Sequence, residues 1–151
     1  MIKRIGIMLS PSLEDYLEEV YRLSTNKKEI RIKDIADCLG VSMPSVVKGL
    51  KKLNDLGYIV YRPYEEIKVL EKGQKKGRFL VERNKILRDF VEVIGSDADV
   101  EQEAEAMEHY LSISTIRCIE RLVGFFKQNK SFLNEFKKFE VDSILDDNIS
   151  Q

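Results

Sequence analysis

Two short amphipathic segments, separated by a stretch that contains Gly40 and Ser42, dominate the first half of the chain. In residues 32–39, and again in residues 46–53, apolar side chains recur at the spacing that lines one face of a helix. Gly40 is suited to end the first helix, because glycine accepts the left-handed conformation of a helix stop. Ser42 is a good N-cap for the second helix, and Pro44 fits its first turn. Two short helices joined in this way are the helix-turn-helix pattern, whose second helix can enter the DNA major groove.

The segments on either side extend this pattern. A further helix is predicted upstream, with Ser12 as its N-cap. Downstream, Gly57 ends the second helix of the pair, and β-rich runs at residues 58–61 and 67–70 flank a turn. A hairpin in this position is a wing, so residues 1–70 are predicted to form a winged helix-turn-helix.

The outward face of the second helix is polar and basic, as expected for a surface that meets DNA. We expect base edges to be contacted by one group of residues and phosphates by another. The first group is Ser42, Pro44, Ser45 and Lys48, and the second is Lys51, Lys52 and Arg62. The alternative for each lysine is an ordinary solvated helix face. Tyr58, Tyr61 and Tyr64 are expected to pack against the protein rather than stack on bases.

Charge is distributed unevenly along the 151 residues, although the net charge is only −1. Residues 1–76 hold 15 Lys and Arg against 11 Asp and Glu, whereas residues 77–151 hold 10 against 15. A basic front half suits phosphate, and an acidic back half suggests a different task. With no apolar run of about 18 residues and no signal peptide in residues 1–9, we expect a cytoplasmic protein without membrane contact.

The second half is predicted to be all-helical. Residues 71–94 form one long connector helix, and shorter helices follow at residues 100–111, 114–127 and 131–139, before a polar tail at residues 143–151. The inward face of the connector is predicted to carry Phe79, Arg83, Ile86, Phe90 and Val93, widened by Leu80, Leu87 and Val91. Cys38 and Cys118 lie among apolar residues and are expected to be buried free thiols.

An acidic segment at residues 101–110 holds four carboxylates and the only histidine of the chain, with no lysine among them. Glu105 precedes Glu108 by three positions and His109 by four, so these side chains can share one helix face. Asp15 and Glu18, also three apart, repeat the arrangement. Carboxylates with one imidazole suit a divalent metal of intermediate hardness, such as Mn²⁺ or Fe²⁺. A solvated acidic face with a lone histidine is the alternative.

Three stretches together resemble the diphtheria toxin repressor family, and most of all its short manganese transport regulator branch. They are residues 12–18, the helix-turn-helix at residues 42–46, and residues 105–112. The resemblance implies a mainly α fold with a small β-hairpin, in which an all-helical metal-binding and dimerisation domain at residues 71–142 follows the winged helix. It also implies a homodimer that binds an inverted-repeat operator in double-stranded DNA when a metal is present.

The resemblance further implies a set of metal ligands by position. They are Asp15, Glu18, Asn84, Glu105, Glu108 and His109. This branch has histidine where the chain has Asn84, and an amide oxygen is a weaker donor than imidazole toward transition metals. Weaker affinity, a single metal, altered metal choice or DNA binding without metal control are the outcomes that this change leaves open.

The wing also departs from the family, which commonly has a basic residue and a glycine there. Glu65 and Glu66 stand in these places and would repel phosphate, leaving wing contacts to Arg62 and Lys68. The rival reading is a two-metal enzyme, but that architecture needs a Glu-x-x-His motif on each of two helices. The chain has one histidine and no phosphate loop or nucleophile elbow. We therefore predict a Mn²⁺-activated repressor, with Fe²⁺ as the alternative metal and no small organic substrate.

Overall fold

A computed structural model describes residues 8–26 and 29–141 of the chain. It divides into two compact units, one reaching Lys85 and the other starting at Ile86. The division falls within a long helix, so the functional boundary that we expect between residues 70 and 71 stays a prediction. The predicted tail at residues 143–151 lies outside the described residues. Among those residues, no helix is both long enough and apolar enough to cross a membrane.

In its described residues, the first unit contains three helices, a two-stranded hairpin and the start of a fourth helix. Their bounds are α1 (Pro11–Thr25), α2 (Ile32–Leu39), α3 (Met43–Asp55), β1 (Ile59–Val60), β2 (Lys68–Val69) and α4 (Glu71–Val93). The strands are antiparallel and pair Ile59 with Val69 and Val60 with Lys68. This order confirms the predicted winged helix-turn-helix, although each strand has two residues where the sequence predicted four.

The predicted boundaries of the helix-turn-helix are confirmed by their caps. Gly40 has φ 63° and its N–H donates to the carbonyl of Ala36, so α2 ends in the left-handed conformation that glycine accepts. The Ser42 hydroxyl accepts a hydrogen bond from the N–H of Ser45, and Pro44 lies in the first turn of α3. The turn between the two helices is therefore built as the sequence predicted.

The predicted N-cap of α1 is wrong. Ser10, not Ser12, caps the helix, and its hydroxyl accepts from the N–H of Leu13 at 3.4 Å. Pro11 occupies the first helical position, where its missing N–H costs nothing and its fixed φ favours the helix. The proline thus starts the helix two residues earlier, and Ser12 lies exposed within its first turn.

One hydrophobic core joins the helices and hairpin of the first unit. The inward stripe predicted for α3 is confirmed, because Val46, Leu50 and Leu53 have no exposed surface. Close packing at this core requires a small residue at Gly49, where a Cβ would overlap the ring of Tyr16 on α1. The second helix of the helix-turn-helix, α3, called the recognition helix, is therefore held firmly against α1.

The buried face of α4 lies within the predicted one but is centred differently. Leu80, Leu87 and Val91 are buried, whereas of the five residues predicted at its centre only Arg83 is. At the start of the helix a Cβ on Gly73 would overlap the Tyr58 carbonyl, so glycine lets α4 pack closely there. Phe79 and Ile86 of the predicted centre are half-buried and pack against the edges of the core clusters.

The second unit contains the rest of α4 and the helices α5 (Val100–Glu108), α6 (Ile113–Gln128) and α7 (Lys130–Lys138). The predicted end of α5 at residue 111 is wrong by three residues. Ser112 must adopt an extended conformation to cap α6, where its hydroxyl accepts from the N–H of Thr115, so the chain leaves α5 before it.

Both cysteines are free, as predicted, but neither is buried. Cys38 on α2 and Cys118 on α6 are exposed. The buried positions of these helices are taken by Ile35 and Ala36 in α2 and by Ile116 in α6. Each cysteine therefore lies beside an apolar stripe rather than within it.

Candidate functional site

The outward face of α3 is exposed along its whole length. It presents the residues predicted to meet DNA, namely Ser42, Pro44, Ser45, Lys48, Lys51 and Lys52. The Ser42 and Ser45 hydroxyl oxygens lie 2.8 Å apart, so part of their hydrogen-bonding capacity is used at the helix start. Within the described residues, the three lysines form no ion pair, which leaves their charge available to phosphate.

The wing tip has a different character. Arg62 lies 3.7 Å from the Glu65 carboxylate, and both side chains are more than half exposed. Its positive charge is thus partly compensated before any phosphate contact. Tyr64 is fully exposed with φ 65°, an unusual backbone conformation for a bulky residue. The expectation that Tyr64 packs against the protein is wrong.

Tyr58 does pack as predicted. Its ring is buried, and the Lys72 ammonium lies 4.2 Å from the ring centre. Burial raises the pKa of the Tyr58 phenol, and the negative charge of Glu14 raises this pKa further. Tyr58 therefore serves as a neutral packing residue that fixes the start of α4 against the hairpin.

Two predicted metal ligands of the first unit lie on consecutive turns of α1. Asp15 and Glu18 are half-buried, as is Asn84 on α4. The Glu18 carboxylate accepts a hydrogen bond from the Arg22 guanidinium at 2.8 Å. Burial lowers the pKa of Arg22, but the hydrogen bond and charge of Glu18 outweigh it, so the pKa lies above its ordinary value. Arg22 was not predicted as part of this site, although it lies four residues after Glu18, a spacing typical of ion pairs on a helix.

The second unit places Glu108 and His109 together. Glu108 is the last residue of α5 and only 3% exposed, while His109 follows as the C-cap. His109 Nε2 lies 3.4 Å from Glu108 Oε1. A buried carboxylate requires polar or charged partners, and an imidazole beside it is one such partner. The sequence predicted that both residues would share a helix face with Glu105, and the structure places Glu108 and His109 in contact.

The remaining acids of α5 face outward. Glu101 and Glu103 are exposed, as predicted, and the Glu101 carboxylate accepts a hydrogen bond from Arg88 at 2.9 Å. Glu105, one turn before Glu108, is exposed as well. Its role as a ligand stays a prediction. Asp99 is the N-cap of α5, and its carboxylate accepts a hydrogen bond from the Gln102 N–H at 2.9 Å. This bond fixes the start of the helix that carries these acids.

Two family models match consecutive parts of the chain. Residues 8–67 match the iron dependent repressor N-terminal DNA binding domain. Residues 70–134 match the iron dependent repressor metal binding and dimerisation domain. The first range includes α3 and β1, and the second includes Glu108 and His109.

Curated relatives are similar over nearly their full length. The chain is 37% identical to an HTH-type transcriptional regulator MntR from Shouchella clausii, over 88% of this chain and 94% of the relative. It is 37% identical to the protein of that name from Lysinibacillus sphaericus, over 86% and 94%.

A solved structure titled as the manganese regulator SloR shares 25% sequence identity with the chain and superimposes with a TM-score of 0.68. The alignment covers 78% of this chain, which spans about half the length of that protein, 55%. The family models and the curated relatives agree with the winged helix and with the predicted recognition helix. The chain therefore belongs to the iron dependent repressor family of metal-dependent, DNA-binding transcriptional regulators.

Proposed function

We propose that this regulator is a repressor activated by Mn²⁺, with Fe²⁺ as the alternative metal. The observation that carries the proposal is the contact of the buried Glu108 with the partly buried His109, in the part of the chain that matches a metal binding and dimerisation domain. The names of the relatives, MntR and the manganese regulator SloR, support Mn²⁺. Carboxylates with a single imidazole also suit Mn²⁺ and Fe²⁺ better than a thiolate-seeking metal.

The proposed ligands come from both units. They are Asp15, Glu18, Asn84, Glu105, Glu108 and His109. The donor set fits a divalent cation of intermediate hardness, because it consists of carboxylate oxygens, an amide oxygen and one imidazole nitrogen. For Glu18 to ligate, its carboxylate must exchange the Arg22 guanidinium for the metal, since the two are hydrogen-bonded at 2.8 Å.

The bound metal would supply positive charge that the carboxylates share. Asp15 and Glu18 belong to the unit that carries the recognition helix, and Glu105, Glu108 and His109 belong to the other. Ligation from both units restricts the orientations of the recognition helix, so part of the conformational cost of DNA binding is met beforehand. Repression is thus controlled by a population shift.

The DNA site of a homodimer is proposed to be an inverted repeat. Its two recognition helices would enter successive major grooves, about one helical turn apart. In this proposal the base edges are contacted by Ser42, Pro44, Ser45 and Lys48, and the phosphates by Lys51, Lys52 and Arg62. We infer that the protein acts in the cytoplasm, where its DNA lies, and that it regulates genes of metal-ion homeostasis without being an enzyme.

Gel shifts on an inverted-repeat operator, with and without Mn²⁺, test this proposal. We expect Mn²⁺ to tighten operator binding in the wild type and to lose this effect in Glu108→Gln. Glu103→Gln removes an exposed acid from the same helix and is the matched control, which should respond as the wild type does. Equal affinity with and without Mn²⁺ in the wild type would favour the alternative, a family member that binds DNA without metal control because Asn84 replaces histidine.

A further inference from the structure

We propose that the ion pair between Glu14 and Arg83 is a positioning device for the metal ligands of the first unit. Glu14 directly precedes Asp15 on α1, and Arg83 directly precedes Asn84 on α4. The pair therefore joins the two helices at the positions next to two proposed ligands. This inference rests on the proposed function, because it assigns a role to residues that support the metal site.

The Glu14 carboxylate lies between two cations. Its Oε2 is 3.2 Å from Lys76 Nζ and 3.5 Å from Arg83 Nη1. Glu14 is 7% exposed and Arg83 is 5% exposed, so water screens this contact little. Glu14 and Arg83 thus form a buried ion pair between α1 and the middle of α4, with the half-buried Lys76 at its edge.

The ring of Phe79 lies beside both cations and limits their movement. The Lys76 ammonium is 5.2 Å from the ring centre, and the Arg83 guanidinium carbon is 5.7 Å from it. These are distances at which an aromatic face attracts a cation. Positions 76, 79 and 83 follow helical spacing, so one face of α4 presents the whole arrangement to Glu14.

Stability alone does not account for this ion pair. Arg83 Nε and Nη2 are buried and have no hydrogen-bond partner among the described residues. An arginine with two unpartnered donors is a poor way to stabilise a core, and well-packed apolar residues often replace buried ion pairs without loss. A charged pair does, however, impose a particular distance and rotation on the helices that carry it.

A second close contact lies between the same two helices, near Gly77. A Cβ built on Gly77 would lie 2.6 Å from the Tyr21 Cβ, so α1 and α4 approach closely there. Glu14 on α1 contacts Arg83 on α4, and Tyr21, later in α1, contacts Gly77, earlier in α4. The two helices are therefore antiparallel. Asp15 and Glu18 lie between these two contacts on α1. The pair and the glycine together hold the turns that carry both carboxylates.

Glu14→Gln in the full-length protein tests the proposal, because glutamine keeps the shape and removes the charge. We expect Mn²⁺ affinity, measured by titration calorimetry, to fall about 10-fold, the lower end for loss of a group that orients metal ligands. The matched control is Glu82→Gln, which breaks an exposed ion pair between Glu82 and Arg78 on α4. It should leave Mn²⁺ affinity unchanged.

Two further variants separate positioning from folding. Arg83→Lys keeps the positive charge and should retain more Mn²⁺ affinity than Arg83→Met. In a double-mutant cycle, Glu14→Gln combined with Arg83→Met should cost less than the sum of the two single changes. The electron paramagnetic resonance spectrum of bound Mn²⁺ should change in Glu14→Gln and not in Glu82→Gln.

Three results would overturn the inference. One is wild-type Mn²⁺ affinity in the folded Glu14→Gln and Arg83→Met variants. Another is a double-mutant cycle in which the losses of Mn²⁺ affinity from the two single changes add up. The third is an equal loss of Mn²⁺ affinity in Arg83→Lys and Arg83→Met. If the wild type itself does not bind Mn²⁺, the proposed function fails and this inference fails with it, whereas wild-type binding with unaffected variants overturns the inference alone.

Discussion

The two units of the chain bury their apolar residues to different degrees. The first has one extensive core that joins its helices and hairpin, including Leu17, Leu50 and Leu53. The buried core cluster of the second consists of Leu87, Ala104 and Ile116. Its last helix, α7, has no buried residue. The first unit thus completes its core alone, whereas the second leaves apolar surface uncovered.

The uncovered surface is concentrated on α6 and α7. Leu122 is 40% exposed and Phe125 is 46% exposed. Together with Cys118 and Arg121 they line a groove on α6, and the Phe125 and Phe132 ring centres are 5.5 Å apart. Exposed apolar patches of this kind mark interaction sites. Because this region matches a dimerisation domain, a second copy of the chain is the expected partner.

The largest expected effect comes from opening the core of the first unit. Leu50 is fully buried in α3, and Leu50→Ala should reduce the free energy of unfolding by about 2–5 kcal/mol through lost burial and a cavity. Chemical denaturation followed by circular dichroism measures this change. Phe132→Ala, at a half-exposed site on α7, should cost far less in the monomer. Equal losses would contradict the contrast between the two units.

A charge on the exposed face of α6 should weaken the dimer. In Leu122→Glu, association would bury a carboxylate among apolar side chains, and the dimer dissociation constant should rise about 30-fold, or about 2 kcal/mol. Analytical ultracentrifugation over a concentration series gives this constant. Leu122→Met keeps volume and polarity and is the matched control. A dimer that tolerates the glutamate would place the interface on another face.

Local signals in the sequence predicted the fold well, and tertiary contacts account for its errors. Gly40 and Ser42 act within one turn of their own position, so their roles could be predicted directly. The start of α1 was missed because Pro11 competes with Ser12 as a start signal. The centre of the buried face of α4 was misplaced, because the close packing of Gly73 against the Tyr58 carbonyl is a tertiary contact that no helical period reveals.

The candidate site shows the same limit. Spacing predicted that Glu105, Glu108 and His109 could share one helix face, and the structure places Glu108 beside His109. Spacing did not reveal that Glu108 is buried while Glu105 is exposed, since burial depends on what packs against α5. Nor could it reveal the Glu14–Arg83 contact, whose partners are 69 positions apart. Residue types and spacing thus indicate the chemistry, but not which members of a set are shielded from water.

Charge on the first unit should control DNA affinity through salt. Lys51 is exposed on α3, and replacing it by glutamine should reduce the slope of log affinity against log salt by about 1, the value for one lost phosphate contact. Fluorescence anisotropy with a labelled operator at several salt concentrations measures this slope. Lys137→Gln removes a lysine from α7 of the second unit and should leave the slope unchanged. If both lysines contribute equally, DNA contact is not confined to the winged helix.

The smallest expected effect concerns the alkylation rates of the two thiols, Cys38 in the first unit and Cys118 in the second. Partial shielding from water raises the pKa of the exposed Cys38 thiol, and the charge and hydrogen bond of Glu19 raise it further. At pH 8 a raised pKa means less thiolate, and the thiolate is the form that reacts with iodoacetamide. Glu19→Gln removes the second cause and leaves the first, so Cys38 should be alkylated a few-fold faster. Peptide mass spectrometry resolves the two cysteines, and the rate at Cys118 serves as the internal reference, which the substitution should not alter. An unchanged rate at Cys38 would mean that Glu19 does not control its reactivity.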